Sequence, residues 1–151
     1  MRSTILLLAA ACATGGARYG SVALKSGANA SARPVSYSVG EGTIRSSNLE
    51  ARVDQGCVRG SVGGMPLQLC SDPSDPTRWS GSSGDFTART SEDGQAVLVS
   101  GYLALDAVRR VQMDQSIPLG KGPQWDELRR NPELLAIAAT AADLQAVHIR
   151  P

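Results

Sequence analysis

Histidine is almost missing from this chain of 151 residues: His148 is the only copy. Its scarcity removes most triads, imidazole general bases and histidine-ligated zinc sites at once. His148 stands between Val147 and Ile149 near the end of the sequence, with no paired cysteine or carboxylate beside it, and reads as an outward residue of a short terminal strand. Aromatics make up only 4%, with a single Phe, so the core is expected to be aliphatic and alanine-rich rather than an aromatic platform for sugars or bases. Neither charge sign dominates. Fifteen Lys and Arg against fourteen Asp and Glu leave +1, and loss of Arg2 with a leader would bring the total to zero. A balance of that kind carries no electrostatic footprint for nucleic acid or an anionic membrane surface, and Arg109-Arg110 and Arg129-Arg130 read as solvated faces. No apolar run approaches the roughly 20 residues of a spanning helix.

The motif inventory is equally bare. Gly60, Gly63 and Gly64 have no Walker lysine or downstream ribose-binding acid, and a hairpin accounts for all three. Gly81-Ser82-Ser83-Gly84 lacks the spacing of a nucleophile elbow and any histidine to activate its serines, so it reads as a flexible loop. Cofactor and metal motifs are not found.

What the chain does have is three cysteines in informative places. Cys12 closes the apolar stretch 5–11, which follows Arg2 and matches the short end of a signal-peptide h-region. Ala9-Ala10-Ala11-Cys12 resembles the bacterial lipobox, with Ala9 where leucine is usual. The resemblance implies a leader over 1–12 and lipid on Cys12. Acyl chains there would tie the protein to a membrane, each buried methylene adding about 0.8 kcal/mol. The expected address is a bacterial membrane, facing the periplasm or the exterior. Ala11-Cys12-Ala13 is also an A-x-A cleavage site, which would give a soluble exported protein instead. A third reading gives the apolar start no export role. Residues 13–34, mostly Gly, Ala and Ser with isolated Arg18, Lys25 and Arg33, read as a flexible tether.

The remaining residues, 35–149, are expected to form one globular domain of roughly 110–120 residues, β-rich over 35–113 and helical over 123–145. Leu49-Glu50-Ala51-Arg52-Val53 and Val58-Arg59-Gly60-Ser61-Val62 alternate at the strand period around the turn Asp54-Gln55-Gly56. Pairing Val53 with Val58, Ala51 with Gly60 and Leu49 with Val62 keeps arginines off the apolar face. Gly63-Gly64 is a favoured two-residue turn, because both positions take positive φ freely. Pairing outward from it sets Val62 against Met65, Ser61 against Pro66, Val58 against Leu69 and Cys57 against Cys70. Pro66 then falls at a non-hydrogen-bonded position. Cys57 and Cys70 fall at another, where Cα atoms lie about 4.5 Å apart, so a disulfide is expected. Asp93-Gly94 sets Thr90 against Val97, Ala88 against Val99 and Phe86 against Gly101. The stretch 107–113 fits either a strand or a capped helical turn.

The C-terminal third reads as helix. Pro123 opens a short segment with Asp126 and Glu127 ahead of Arg129 and Arg130, the charge order a helix dipole favours. Asn131-Pro132-Glu133 reads as N-cap, first helical residue and acidic first turn of a second helix. From Leu134 to Ala142 only Thr140 is polar, so this helix is expected to be buried on more than one side. Trp125 and Leu128 share a face of the short helix, and Trp79 is assigned to the core, with a surface anchor as the alternative.

The fold class is therefore mainly β (α+β): an antiparallel meander or small open barrel or sandwich of six to eight strands, with a C-terminal helical segment packed on it. The expected function is non-catalytic: an exported lipoprotein whose stapled β-domain binds an envelope macromolecule, as scaffold, assembly factor or inhibitor. A binding module for a small or hydrophobic molecule is the alternative. A third reading is a carboxylate-dependent hydrolase using Asp72, Asp75 or Asp85, although Asx turns account for the first two and no calcium-loop spacing is present.

Overall fold

Period-two alternation recurs along most of the chain, and each run that carries it becomes a strand. The computed structural model describes residues 18–27, 31–104 and 109–148. In chain order the strands are β1 (Arg18–Leu24), β2 (Val35–Gly40), β3 (Thr43–Arg45), β4 (Leu49–Asp54), β5 (Cys57–Val62) and β6 (Met65–Asp72). They continue as β7 (Asp75–Gly81), β8 (Gly84–Thr90), β9 (Ala96–Ala104), β10 (Arg110–Gln112) and β11 (Gln115–Pro118). Two helices follow, α1 (Pro123–Arg130) and α2 (Pro132–His148). From β1 to β10 each strand pairs antiparallel with the next, and β11 lies beside β10 along the same edge of β9. No ladder joins β1 to β10 or β11 among the described residues, so the meander stays open.

The expected registers hold. Val53 faces Val58, Ala51 faces Gly60 and Leu49 faces Val62. Outward from Gly63-Gly64, Val62 meets Met65 and every pair follows to Cys57 with Cys70. Thr90 faces Val97, Ala88 faces Val99 and Phe86 faces Gly101. At Gly60 the strands approach so closely that a Cβ would overlap the Glu50 carbonyl oxygen.

Eleven strands stand against the expected six to eight, with β1 inside the expected tether and β11 in a stretch given no assignment, and stretches read as loops are tight turns. Pro73-Ser74 alone separates β6 from β7, and Ser82-Ser83 alone separates β7 from β8. The Gly81–Gly84 stretch is therefore not a flexible loop: the Ser83 hydroxyl is buried, accepts from the Gln68 amide at 2.8 Å and donates to the Pro66 carbonyl at 3.2 Å. A second correction concerns the tether. Part of 13–34 is strand β1, whose Val22 and Leu24 are buried while Ala23 between them faces out. Two apolar residues among glycine, serine and alanine are a faint period, and pairing with β2 supplies what local propensity does not. A third concerns His148, which closes α2 rather than lying in a strand. The ambiguous stretch 107–113 yields strand β10, while 105–108 lies outside the described residues.

α2 occupies the concave side of the sheet. Every residue from 133 to 142 is buried, because β3, β4, β8, β9 and both β1 and β11 touch the helix. Leu134, Leu135 and Ile137 are fully enclosed, each such side chain contributing about 1.5–3 kcal/mol. Alanines at 136, 138, 139, 141 and 142 let the strands close in on the remaining sides. Thr140, the one polar residue of the run, donates to the Ala136 carbonyl at 3.0 Å. Asp143 binds the chain just past β1, accepting from Ser26 Oγ at 2.8 Å and from the Gly27 amide at 2.7 Å. α1 packs on β1, β2 and α2 with Leu128 buried beneath it.

Candidate functional site

Among the surface depressions formed by the described residues, two at different places on this frame bear on function. The first adjoins the stapled β5–β6 hairpin. Cys57 and Cys70 are bonded at 2.08 Å with Cα atoms 4.0 Å apart, fixing the pairing at the end of the hairpin away from Gly63-Gly64. At the turn end, Met65 is the one exposed large hydrophobic residue among the described residues, at 37%. A groove of about 290 Å³ lies beside it, lined by Val62, Met65 and Leu144 with Asn48, Arg109 and Gln145. The Gln145 Oε1 is buried without a hydrogen-bond partner.

The second depression is a cleft of about 530 Å³ at the joint between α1 and α2. Its margin includes Trp79, Thr90, Arg89, Arg129, Arg130 and Glu133. Arg129 ties the joint down: Nε donates to the Gly94 carbonyl at 3.0 Å, one terminal nitrogen to the Gly120 carbonyl at 3.1 Å and the other to Asp126 at 2.7 Å. Glu127 is buried and fully engaged, accepting from the Gly42 amide at 2.8 Å, from Asn131 Nδ2 at 2.8 Å and from Arg130 at 2.6 Å. The pairs read as solvated faces thus divide: Arg109 and Arg110 are exposed, with Arg110 stacked 4.6 Å over the Tyr102 ring, whereas Arg129 is a structural tie.

Glu133 differs from Glu127. Only 4% of it is exposed, yet no other described residue donates a hydrogen bond to its carboxylate. Burial pushes its carboxyl up to about 7, the nearby Glu127 adds to the rise, and its own amide opposes it. Neither glutamate stands out in the sequence, where Glu127 looks like an ordinary acid within a short helix and Glu133 like one in a helix first turn. The available signal is that Glu133 immediately precedes an almost wholly apolar helix.

The three aspartates considered for hydrolysis are spent locally. Asp72 accepts from the Ser74 amide and hydroxyl at 2.9 and 2.7 Å, and Asp75 from the Thr77 amide and hydroxyl at 3.1 and 2.6 Å. These are the expected turns. Asp85 is held by Arg78 through two bonds of 3.0 and 2.7 Å. The Ser74 hydroxyl holds the Asp72 carboxyl below the usual range, and the Arg78 guanidinium does the same for Asp85. Trp79 is buried in the core opposite Phe86, and Trp125 packs at its edge. Among the described residues no cluster of three or more His, Cys, Asp or Glu is placed to hold a metal ion, and no helix is long and apolar enough to cross a membrane. Cys12 lies outside the described residues. Set against known proteins, the chain matches no family model, no curated sequence and no solved structure.

Proposed function

We propose that this chain is a non-catalytic exported bacterial lipoprotein, held by lipid on Cys12 to a membrane facing the periplasm or the exterior. Its stapled β-domain binds an envelope macromolecule, as scaffold, assembly factor or inhibitor. The observation that carries the binding reading is the filled interior. Sheets of this shape that bind small molecules commonly do so in the barrel mouth, but here α2 takes the concave side and is buried from 133 to 142. Recognition is then left to the outer surface, where Met65 stands exposed on a hairpin made rigid by the Cys57–Cys70 bond. An apolar side chain at the edge of a groove, once covered by a partner, can anchor a protein contact. The experiment is affinity capture of the lipidated protein from its own envelope, in parallel with Met65→Asp. The expected result is a macromolecule recovered with the native protein and lost with the variant. Cys12→Ser is expected to release the protein into the soluble fraction.

A second reading has its own observation. The groove beside Met65 is close to the lower end of the volume range for small-ligand sites, and Gln145, whose buried Oε1 has no partner, forms part of its wall. A small hydrophobic molecule with one donor group would suit it. Native mass spectrometry that finds such a molecule, with no macromolecule in repeated captures, would replace the first reading with the second.

A further inference from the structure

Glu133 is buried to 4% exposure and lines the cleft, with no donor from another described residue. A group so placed costs the fold energy unless something arrives to match it. The margin of the cleft carries Arg89 on β8 and Arg129 and Arg130 on α1, with Trp79 and Thr90 as uncharged wall, and among the described residues Glu127 is the one charge that acts on the Glu133 carboxyl. Most of these charges are already satisfied. Arg129 is paired with Asp126, and Arg130 is paired with Glu127. What remains without a partner from another described residue is one acid, Glu133, bonded by its own amide, and one exposed guanidinium at the margin, Arg89, which makes no ion pair among the described residues.

We propose that this cleft binds a small zwitterion of the amino-acid class, its ammonium group seated on the Glu133 carboxylate and its carboxylate turned toward the arginine margin. Opposite charges on one ligand are what the lining selects. The lining carries both signs, Glu133 on the wall and Arg89, Arg129 and Arg130 at the margin, so a simple amine or a simple anion would meet only half of it. A zwitterion answers both, and its aliphatic part has the Trp79 side of the cleft to lie on. The volume of about 530 Å³ is ample for such a molecule. The position also sets a pH dependence. Burial holds the Glu133 carboxyl near 7, and an ammonium ligand requires it ionised, so binding releases a proton and strengthens as the pH rises through neutrality.

The test is a two-dimensional NMR titration of the full chain with L-alanine as probe, and with acetate and ethylamine as half-ligands at the same concentrations. Saturable shifts at the amides of Thr90, Asn131 and Glu133 are expected with alanine, with each half-ligand at least about 10-fold weaker. Lowering the pH from 8 to 6 is expected to weaken alanine about 10-fold, as Glu133 takes up its proton. Glu133→Gln removes the binding and its pH dependence. Arg89→Gln, an exposed change that leaves the fold intact, weakens alanine about 3-fold and keeps the test decisive if the first variant folds poorly. Acetate binding as well as alanine, ethylamine binding as well as alanine, or no saturable shift with alanine would each overturn the proposal.

Discussion

The backbone amide of Gly42 donates to the Glu127 carboxylate at 2.8 Å, joining the β2–β3 turn to α1 across 85 residues of sequence. The same carboxylate receives Asn131 and Arg130, so a single buried side chain gathers a turn, a helix and the joint between two helices. Glu127→Ala leaves the Gly42 amide and the Asn131 side chain without their acceptor, and is expected to cost about 3 kcal/mol. Glu127→Gln keeps an acceptor and is expected to cost about half as much. Urea unfolding midpoints measure both. An alanine variant as stable as the parent would show that the tie contributes nothing to the fold.

Glu133 makes stability depend on pH in the opposite sense to an ordinary paired acid. Its carboxyl stands near 7 in the folded protein against 4.5 when unfolded, so between those values the unfolded chain gives up the proton first. Native stability therefore falls as pH rises from about 4.5 to about 7, by roughly 3 kcal/mol in all. Glu133→Gln is expected to equal the parent at pH 4 and to exceed it at pH 8. Denaturation curves across that range check the sign, and a difference that stays constant with pH would contradict it.

Reduction of the Cys57–Cys70 bond reopens a loop with a sequence separation of 13, which on the chain-entropy model is worth about 3 kcal/mol. Cys57→Ser with Cys70→Ser is expected to lower stability by a similar amount while preserving the β5–β6 register, because Gly63-Gly64 and the alternating face fix that register independently. Hydrogen exchange at the hairpin amides distinguishes a weakened pairing from a shifted one.

Tyr37 is fully buried, and its hydroxyl has no hydrogen-bond partner. Burial, with the nearby Asp143 adding, pushes the phenol well above its ordinary range. Tyr37→Phe removes the unmatched polar atom and keeps the ring, so it is expected to stabilise the protein by about 1 kcal/mol. Loss of stability in thermal and urea denaturation would mean that the hydroxyl has a partner in solution.

The sequence by itself determined the local pairings. Gly63-Gly64, Pro66 and two cysteines constrain the same hairpin from separate causes, namely turn geometry, a missing donor and a covalent length. Asp93-Gly94 fixed the register of β8 and β9, and the apolar run after Pro132 specified a helix buried on more than one side. Each of those features is written within about 15 contiguous residues, the range over which periodicity and turn chemistry act. Tertiary structure decided the rest. β1 is too poor in apolar residues to declare itself, and becomes a strand because β2 offers it an edge and both helices touch it, with Val22 and Leu24 buried. Nor does any local pattern show that both ends of the sheet reach one helix, or that Glu127 is matched from three directions while Glu133, six positions on, is left to a cleft. Burial and charge balance are sums over neighbours distant in sequence, so the character of an acid in a helix's first turn is settled only when the chain has closed around it.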